Sequence, residues 1–240
     1  MKESNAMKRN AVDYRDFRLN KINDPAYRHL KLLLGWVVYF ALYFLTENLI
    51  PLEKCHVISC GLDEMIPFCE VFVIPYVLWY FLVAGSLLYF LLYNIDSFKK
   101  FSVFIMITQA VAMTVYLLYP SRQELRPDVF PRENMFTWAL SIIYAFDTPS
   151  GILPSLHVGY SLGIASVWCK EKDAPLAWKI TVVFLVILIC LATVMIKQHS
   201  VLDVFAALPL GLLAEGIVYR EYWRKRLRNG RRETESEGNR

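Results

Sequence analysis

The sequence predicts an all-α polytopic membrane protein, with six transmembrane helices in one bundle and an interfacial helix between spans three and four. Three observations predict this fold. Of 240 residues, 56% are hydrophobic and only 20% are charged, a composition more apolar than that of soluble domains. The charge is segregated, so that uncharged windows close to the ~20 residues a spanning helix needs alternate with short basic stretches. Lysine and arginine collect on alternate sides of those windows. Such a composition excludes a disordered chain. The formal net charge of +4 reflects topology, so no nucleic-acid partner is expected.

Residues 1–30 read as a cytoplasmic tail, polar and mixed in charge. They lack the early apolar run and cleavage site of a signal peptide. The membrane domain spans 31–219. Its first window is the 15 uncharged residues between Lys31 and Glu47. The next three cover 71–94, 101–121 and 148–169, with lengths of 24, 21 and 22 residues. The fifth, 180–196, has 17 residues, and the sixth, 201–219, carries Asp203 and Glu215. Lys31, Glu47, Lys179 and Lys197 can complete the short first and fifth spans by snorkelling. The uncharged segment 134–146 has only 13 residues, too few to span, and reads as interfacial or re-entrant. Residues 220–240 form a basic cytoplasmic tail that anchors topology or touches anionic lipid, ending in a polar, disordered stretch over 233–240. No internal repeat is present.

With both termini cytoplasmic, the inner segments hold 21 of the 26 Lys and Arg residues. Lys54, Arg122, Arg126, Arg132 and Lys197 remain outside. This asymmetry orients the chain, and the cell membrane is the expected location. Cys55, Cys60 and Cys69 fall in the first outer loop, while Cys169 and Cys190 fall at or within spans. One outer disulfide and unpaired packing cysteines are both compatible with that spacing.

Three polar clusters interrupt the apolar pattern. They are Tyr119-Pro-Ser-Arg122-Gln-Glu-Leu-Arg126-Pro127, Asp147-Thr-Pro-Ser-Gly-Ile-Leu-Pro154-Ser155-Leu-His157 and Lys197-Gln198-His199-Ser200-Val-Leu-Asp203. Odd spans run outward and even spans inward, so all three clusters meet on the outer face. Ionisable residues at such positions point to function. His199 and Asp203 stand four apart on one helical face. A carboxylate there can hold one ring nitrogen and leave the other for chemistry. Each feature also has a plainer reading: an interface anchor for Arg122 and Arg126, a satisfied polar residue for His157, and a structural pair for His199 with Asp203. Asp63, Glu64, Glu70 and Asp147 either shape headgroup choice or, on the plainer reading, are solvated loop charge. Taken together, the clusters suit phosphoryl transfer. His199 is a nucleophile, His157 a proton donor, and Arg122, Arg126, Lys197 and Ser155 bind the phosphate. No metal or cofactor is required. Two histidines and a carboxylate could instead ligate iron or zinc, but clustered outer cations would repel the ion.

Pro154-Ser155-Leu-His157 resembles the PSxH motif of the type 2 phosphatidic acid phosphatase superfamily. His199-x-x-x-Asp203 resembles the end of its third motif, and Arg126-Pro127 the end of its first. The resemblance covers about residues 30–220. It implies a lipid phosphatase with a covalent phosphohistidine, in which His199 attacks, Asp203 orients it and His157 protonates the leaving oxygen. The expected substrate is a lipid phosphate or polyprenyl diphosphate. Two family motifs depart: Tyr119 stands where the first motif has Lys, and Ala192-Thr193 stand where the third has Ser-Arg. Arg122 and Lys197 are the candidate substitutes. Relatives that move headgroups between sphingolipids and glycerolipids diverge in the same regions, so phosphotransfer is a second expectation. A transporter or scaffold that binds an anion without chemistry is a third.

Overall fold

Apolar residues that meet at the helical period, with few breakers inside each window, fold most of the described chain into helices. The computed structural model describes residues 12–237. In order these are α1 (Leu34–Leu49), the short α2 (Gly61–Met65), α3 (Val73–Tyr93), α4 (Ile95–Leu118), α5 (Met135–Phe146), α6 (Leu156–Lys170), α7 (Leu176–Met195), α8 (Val201–Val218) and α9 (Arg220–Glu237). Two two-residue strands, β1 (His56–Val57) and β2 (Ser121–Arg122), pair in parallel. Four helical segments are long and apolar enough to cross a membrane: Glu70–Tyr93, Ile95–Leu118, Leu176–Met195 and Val201–Val218. The protein is thus mostly helical and consistent with a membrane protein. The other two apolar windows are occupied by α1, of 16 residues, and α6, of 15. Met135–Phe146 is a short apolar helix of 12 residues.

Boundaries follow local chemistry. Asn94 alone separates α3 from α4, and its side chain accepts from the Ser97 N–H at 3.2 Å, capping the new helix. The charged stretch between the second and third windows is therefore the first turn and a half of α4. Ser155 caps α6 and Ser200 caps α8 by the same device. The basic tail is helical as far as Glu237, so 233–237 continues α9 instead of forming irregular coil. Residues 1–11 and 238–240 lie outside the described residues, as does the side chain of Glu47.

α6 is the central helix and packs against α3, α4, α7 and α8. Around it sits an aromatic core that includes Phe90, Phe98, Phe101, Tyr160 and Trp168. The outward faces are also apolar, with Phe40, Phe81, Phe184, Phe205 and Leu212 all exposed. A bundle apolar on both sides fits hydrocarbon better than water. Glu215, the second acid of the weakest window, is satisfied internally. It pairs with Lys170 at 2.6 Å and accepts from Ser166 and from Trp223 on α9. Lys170 also sits 4.3 Å from the Tyr219 ring centroid. At the same end Tyr14 reaches His29 at 2.7 Å and the Leu91 carbonyl at 2.9 Å, docking part of the N-terminal tail on the bundle.

Gly163 of α6 is a tight contact between helices. A Cβ there would stand 2.7 Å from the fully buried Phe104 ring of α4. Gly163→Val should lower stability by about 1–3 kcal/mol through overpacking. Gly216 of α8 has nothing within 4 Å of its Cβ position, and Gly216→Ala should gain roughly 0.5–1 kcal/mol from backbone entropy. Thermal unfolding of both variants in one detergent checks the opposite signs.

Candidate active site

Four segments distant in sequence meet at the end of the bundle away from Lys170. β1 pairs β2, Arg122 bridges to Ser150, and Gly151 donates to the Ser121 carbonyl at 2.8 Å. Gly151 has φ +62, a conformation that favours glycine. The Tyr116 hydroxyl of α4 donates to the Pro154 carbonyl at 2.7 Å. Ser155 N–H donates to the Asp203 carbonyl at 3.1 Å, joining the start of α6 to that of α8.

His199 and Asp203 are brought together. His199 Nδ1 lies 3.2 Å from Asp203 Oδ2, and both residues are buried. The same oxygen accepts from the Ser200 N–H at 2.9 Å. With Nδ1–H directed to the carboxylate, Nε2 carries the free lone pair. His157 faces this pair, its ring centroid 5.7 Å from that of His199. Tyr76 and Trp79 hold the His157 ring at 4.5 Å and 4.2 Å. Its Nε2 is buried and has no hydrogen-bond partner among the described residues. Both histidines line a cavity of about 650 Å³. The cavity runs between α1 and α3 as far as Leu33 and Leu87, and its walls include Trp36, Tyr39 and Val83.

The predicted phosphate binders are distributed differently. Arg126 lies directly behind the site. Its guanidinium donates to the carbonyls of Tyr144 (3.1 Å) and Asp147 (2.5 Å) and to Gln198 Oε1 (2.8 Å). Its plane also covers the Tyr144 ring at 4.3 Å. Ser155 is buried as a helix cap, its Oγ accepting from the Val158 N–H at 3.4 Å. Arg122 pairs with Glu124 at 2.5 Å. Lys197 donates to the carbonyls of Asp63 (2.5 Å) and Ile66 (2.6 Å). None of these four side chains lines the cavity. The substitution of Arg122 and Lys197 for the missing motif cations therefore finds no geometric counterpart. Of the departing positions, Tyr119 stacks on His56 at 4.3 Å. Thr193 instead accepts the N–H groups of Gln198 and His199 on its carbonyl, each at 3.0 Å.

Two acids read from sequence as solvated are buried. Glu70, 4% exposed, accepts from Arg132 at 2.9 Å and Asn134 at 3.1 Å. Asp63, 3% exposed, accepts from Ser200 Oγ (2.7 Å), Val201 N–H (2.8 Å) and Cys60 N–H (2.8 Å). Sequence inspection missed this link because nothing local to Asp63 announces a partner 137 residues away. Asp147 lies at the cavity wall, where its Oδ2 accepts from the Tyr76 hydroxyl at 2.6 Å. Tyr76 and Gln198 were likewise not singled out. The one available signal was a polar residue next to a motif histidine. All five cysteines are free thiols.

No protein-family model, curated protein or solved structure matches the chain.

Burial alone would raise the Asp63 carboxyl, but the hydrogen bonds from Ser200, Val201 and Cys60 outweigh it and hold the group below its usual value. A folded-state value below the unfolded one stabilises above the ordinary carboxylate range, and that contribution is lost as pH falls through the folded value. Asp63→Asn should therefore destabilise by about 2–3 kcal/mol at pH 7. The difference from wild type should shrink below about pH 4. Thermal unfolding across pH 3–8 measures it, and a pH-independent difference would rule out the carboxylate as its source.

Proposed function

We propose that the chain is a metal-independent membrane enzyme that hydrolyses a lipid phosphate or polyprenyl diphosphate through a phosphohistidine on His199. One observation carries this: the His199–Asp203 pair at 3.2 Å faces a second imidazole at the end of an apolar cavity. His199 Nε2 attacks phosphorus while Asp203 holds the tautomer and stabilises the positive charge that forms on the ring. The bond from phosphorus to the leaving oxygen breaks, and His157 supplies its proton. Water, deprotonated by His157, then attacks the phosphohistidine, releasing phosphate and restoring both rings. Arg126 sits behind Gln198 and adds fixed positive potential near the site. The aromatic walls between α1 and α3 suit an acyl or prenyl chain.

In the same proposal α1, α3, α4, α6, α7 and α8 are six spans, with α5 at the interface. Both termini are cytoplasmic and the site faces outward at the cell membrane. The Lys and Arg asymmetry supports that orientation. At 1.5 Å per residue α6 is about 22 Å long, shorter than the ~30 Å hydrocarbon layer. Its first turn, with His157, then lies below the headgroup plane, within reach of a lipid that has not left the bilayer. A second reading, headgroup transfer to an acceptor lipid, is favoured by the uncharged side chains at 119 and 193.

The two histidines should fail differently. His199→Ala should abolish turnover of every phosphate substrate. His157→Ala should lose ~10²–10⁴-fold on a lipid monoester but retain much of its activity on an aryl phosphate, whose leaving group needs no proton. It should still trap acid-labile phosphate on the protein, whereas the His199 variant should not. Chelators should leave activity intact. Labelling of His199→Ala would overturn its role, and loss of activity with EDTA restored by one divalent ion would favour the metal reading.

A further inference from the structure

The cavity wall carries an uneven set of charges. Among the described residues that line it there is no lysine or arginine, and the one carboxylate is Asp147, close to the two histidines. The cations of this end are held by other groups. Lys197 faces two backbone carbonyls, Arg122 faces Glu124, and Arg126 faces three oxygens behind the wall, one of them the carbonyl of Asp147, whose carboxylate also attracts it while Asp147 itself lines the cavity. Tyr76 links the carboxylate to the chemistry. Its hydroxyl donates to Asp147 Oδ2 at 2.6 Å, and its ring stacks on His157 at 4.5 Å. Asp147 and the imidazole are thus separated by one tyrosine ring. The Tyr80 ring stands edge-on to His157 at 6.1 Å and lines the same wall with Phe146. A carboxylate among aromatic rings attracts an ammonium group. It also repels a second negative charge, which weighs against a bare monoester dianion and more strongly against a diphosphate.

Resting on the phosphohistidine proposal, we infer that the lipid taken here carries an ammonium group two carbons from its phosphate ester oxygen. The ammonium is seated on Asp147 while phosphorus faces His199. This 2-aminoethyl phosphate unit has two lipid sources: a diester whose headgroup carries the amine, and a monoester whose lipid backbone carries it. The bond changes are the same for both. The His199 Nε2–phosphorus bond forms, the bond from phosphorus to the lipid oxygen breaks, and the His157 proton goes to that oxygen. With the diester, the aminoalkyl phosphate remains on His199 until water releases it. With the monoester, the phosphoryl group alone remains.

Two matched pairs test this with the purified full chain. Phosphatidylethanolamine is compared with phosphatidylglycerol, and sphingosine phosphate with lysophosphatidic acid. Equilibrium binding is measured on His199→Ala, and release of the lipid alcohol on wild type. The amine-bearing member of at least one pair should bind at least 10-fold tighter, and the pair that shows the preference identifies the source. Asp147→Asn, introduced alongside His199→Ala, should reduce the preference to within about twofold. Absence of preference in both pairs would overturn the inference, as would its persistence in the Asp147 variant. The comparison without the Asp147 substitution decides even if that variant does not fold. Amine preference in binding with no lipid alcohol released from any of the four would support the seat and overturn the phosphohistidine proposal instead.

Discussion

The Asp63 carboxylate beneath the start of α8 is the contact on which the site geometry depends. The turn from Lys197 to Asp203 must leave α7, reverse and begin α8 while its polar groups stay out of bulk water. Buried polar groups without partners are expensive. Asp63 meets that constraint by binding the Ser200 hydroxyl and the Val201 N–H. Its own carbonyl, with that of Ile66, receives the Lys197 ammonium. Lys197 has φ +56, a strained region for a non-glycine residue that typically costs ~1–3 kcal/mol. The two carbonyl contacts hold it there. Once the turn is fixed, Asp203 falls in the first turn of α8 and His199 just before it, which produces their contact.

The same turn explains why the His–Asp pair is tied to the rest of the bundle. The Thr193 carbonyl accepts two N–H groups from the turn, and the Asp203 carbonyl accepts the Ser155 N–H. The start of α6, which bears His157, is therefore attached to the start of α8 through backbone as well as through ring contacts. Tyr76 and Trp79 fix the second imidazole from α3. Preorganisation of this kind matters for phosphoryl transfer, where positioning and charge stabilisation supply most of the rate.

Much of the architecture was legible because hydrophobic period and charge are local signals. The apolar windows at 71–94, 101–121, 180–196 and 201–219 each carry a helix long enough to cross a membrane. The pairing of His199 with Asp203 was legible from an i, i+4 spacing, and the convergence of 119–126, 147–157 and 197–203 from the alternation of spans. What sequence could not disclose was the direction of long side chains. Arg122 and Lys197 lie in the correct clusters yet turn to Glu124 and to backbone carbonyls. Asp63 and Asp147 have ordinary loop surroundings, and their roles come from contacts with residues 137 and 71 positions away. Flexible stems and distant partners carry no periodicity.

The distribution of cations also bears on how a phosphate is met at this site. A cavity wall with arginine or lysine would bind any phosphate, including free inorganic phosphate, with little regard to the attached group. Here the fixed positive charge of Arg126 is one layer back, shared among carbonyl oxygens and Gln198. The Gln198 side chain reaches the cavity wall, so the guanidinium acts on the cavity mainly through a polarised amide. In the proposed reaction a neutral His199, an amide and aromatic rings hold the phosphate weakly through charge. On the proposed mechanism, stabilisation concentrates where charge would develop, on the His199 ring beside Asp203. On that proposal binding energy comes mainly from a lipid chain between the aromatic walls of α1 and α3, which suits a lipid better than a small soluble phosphate.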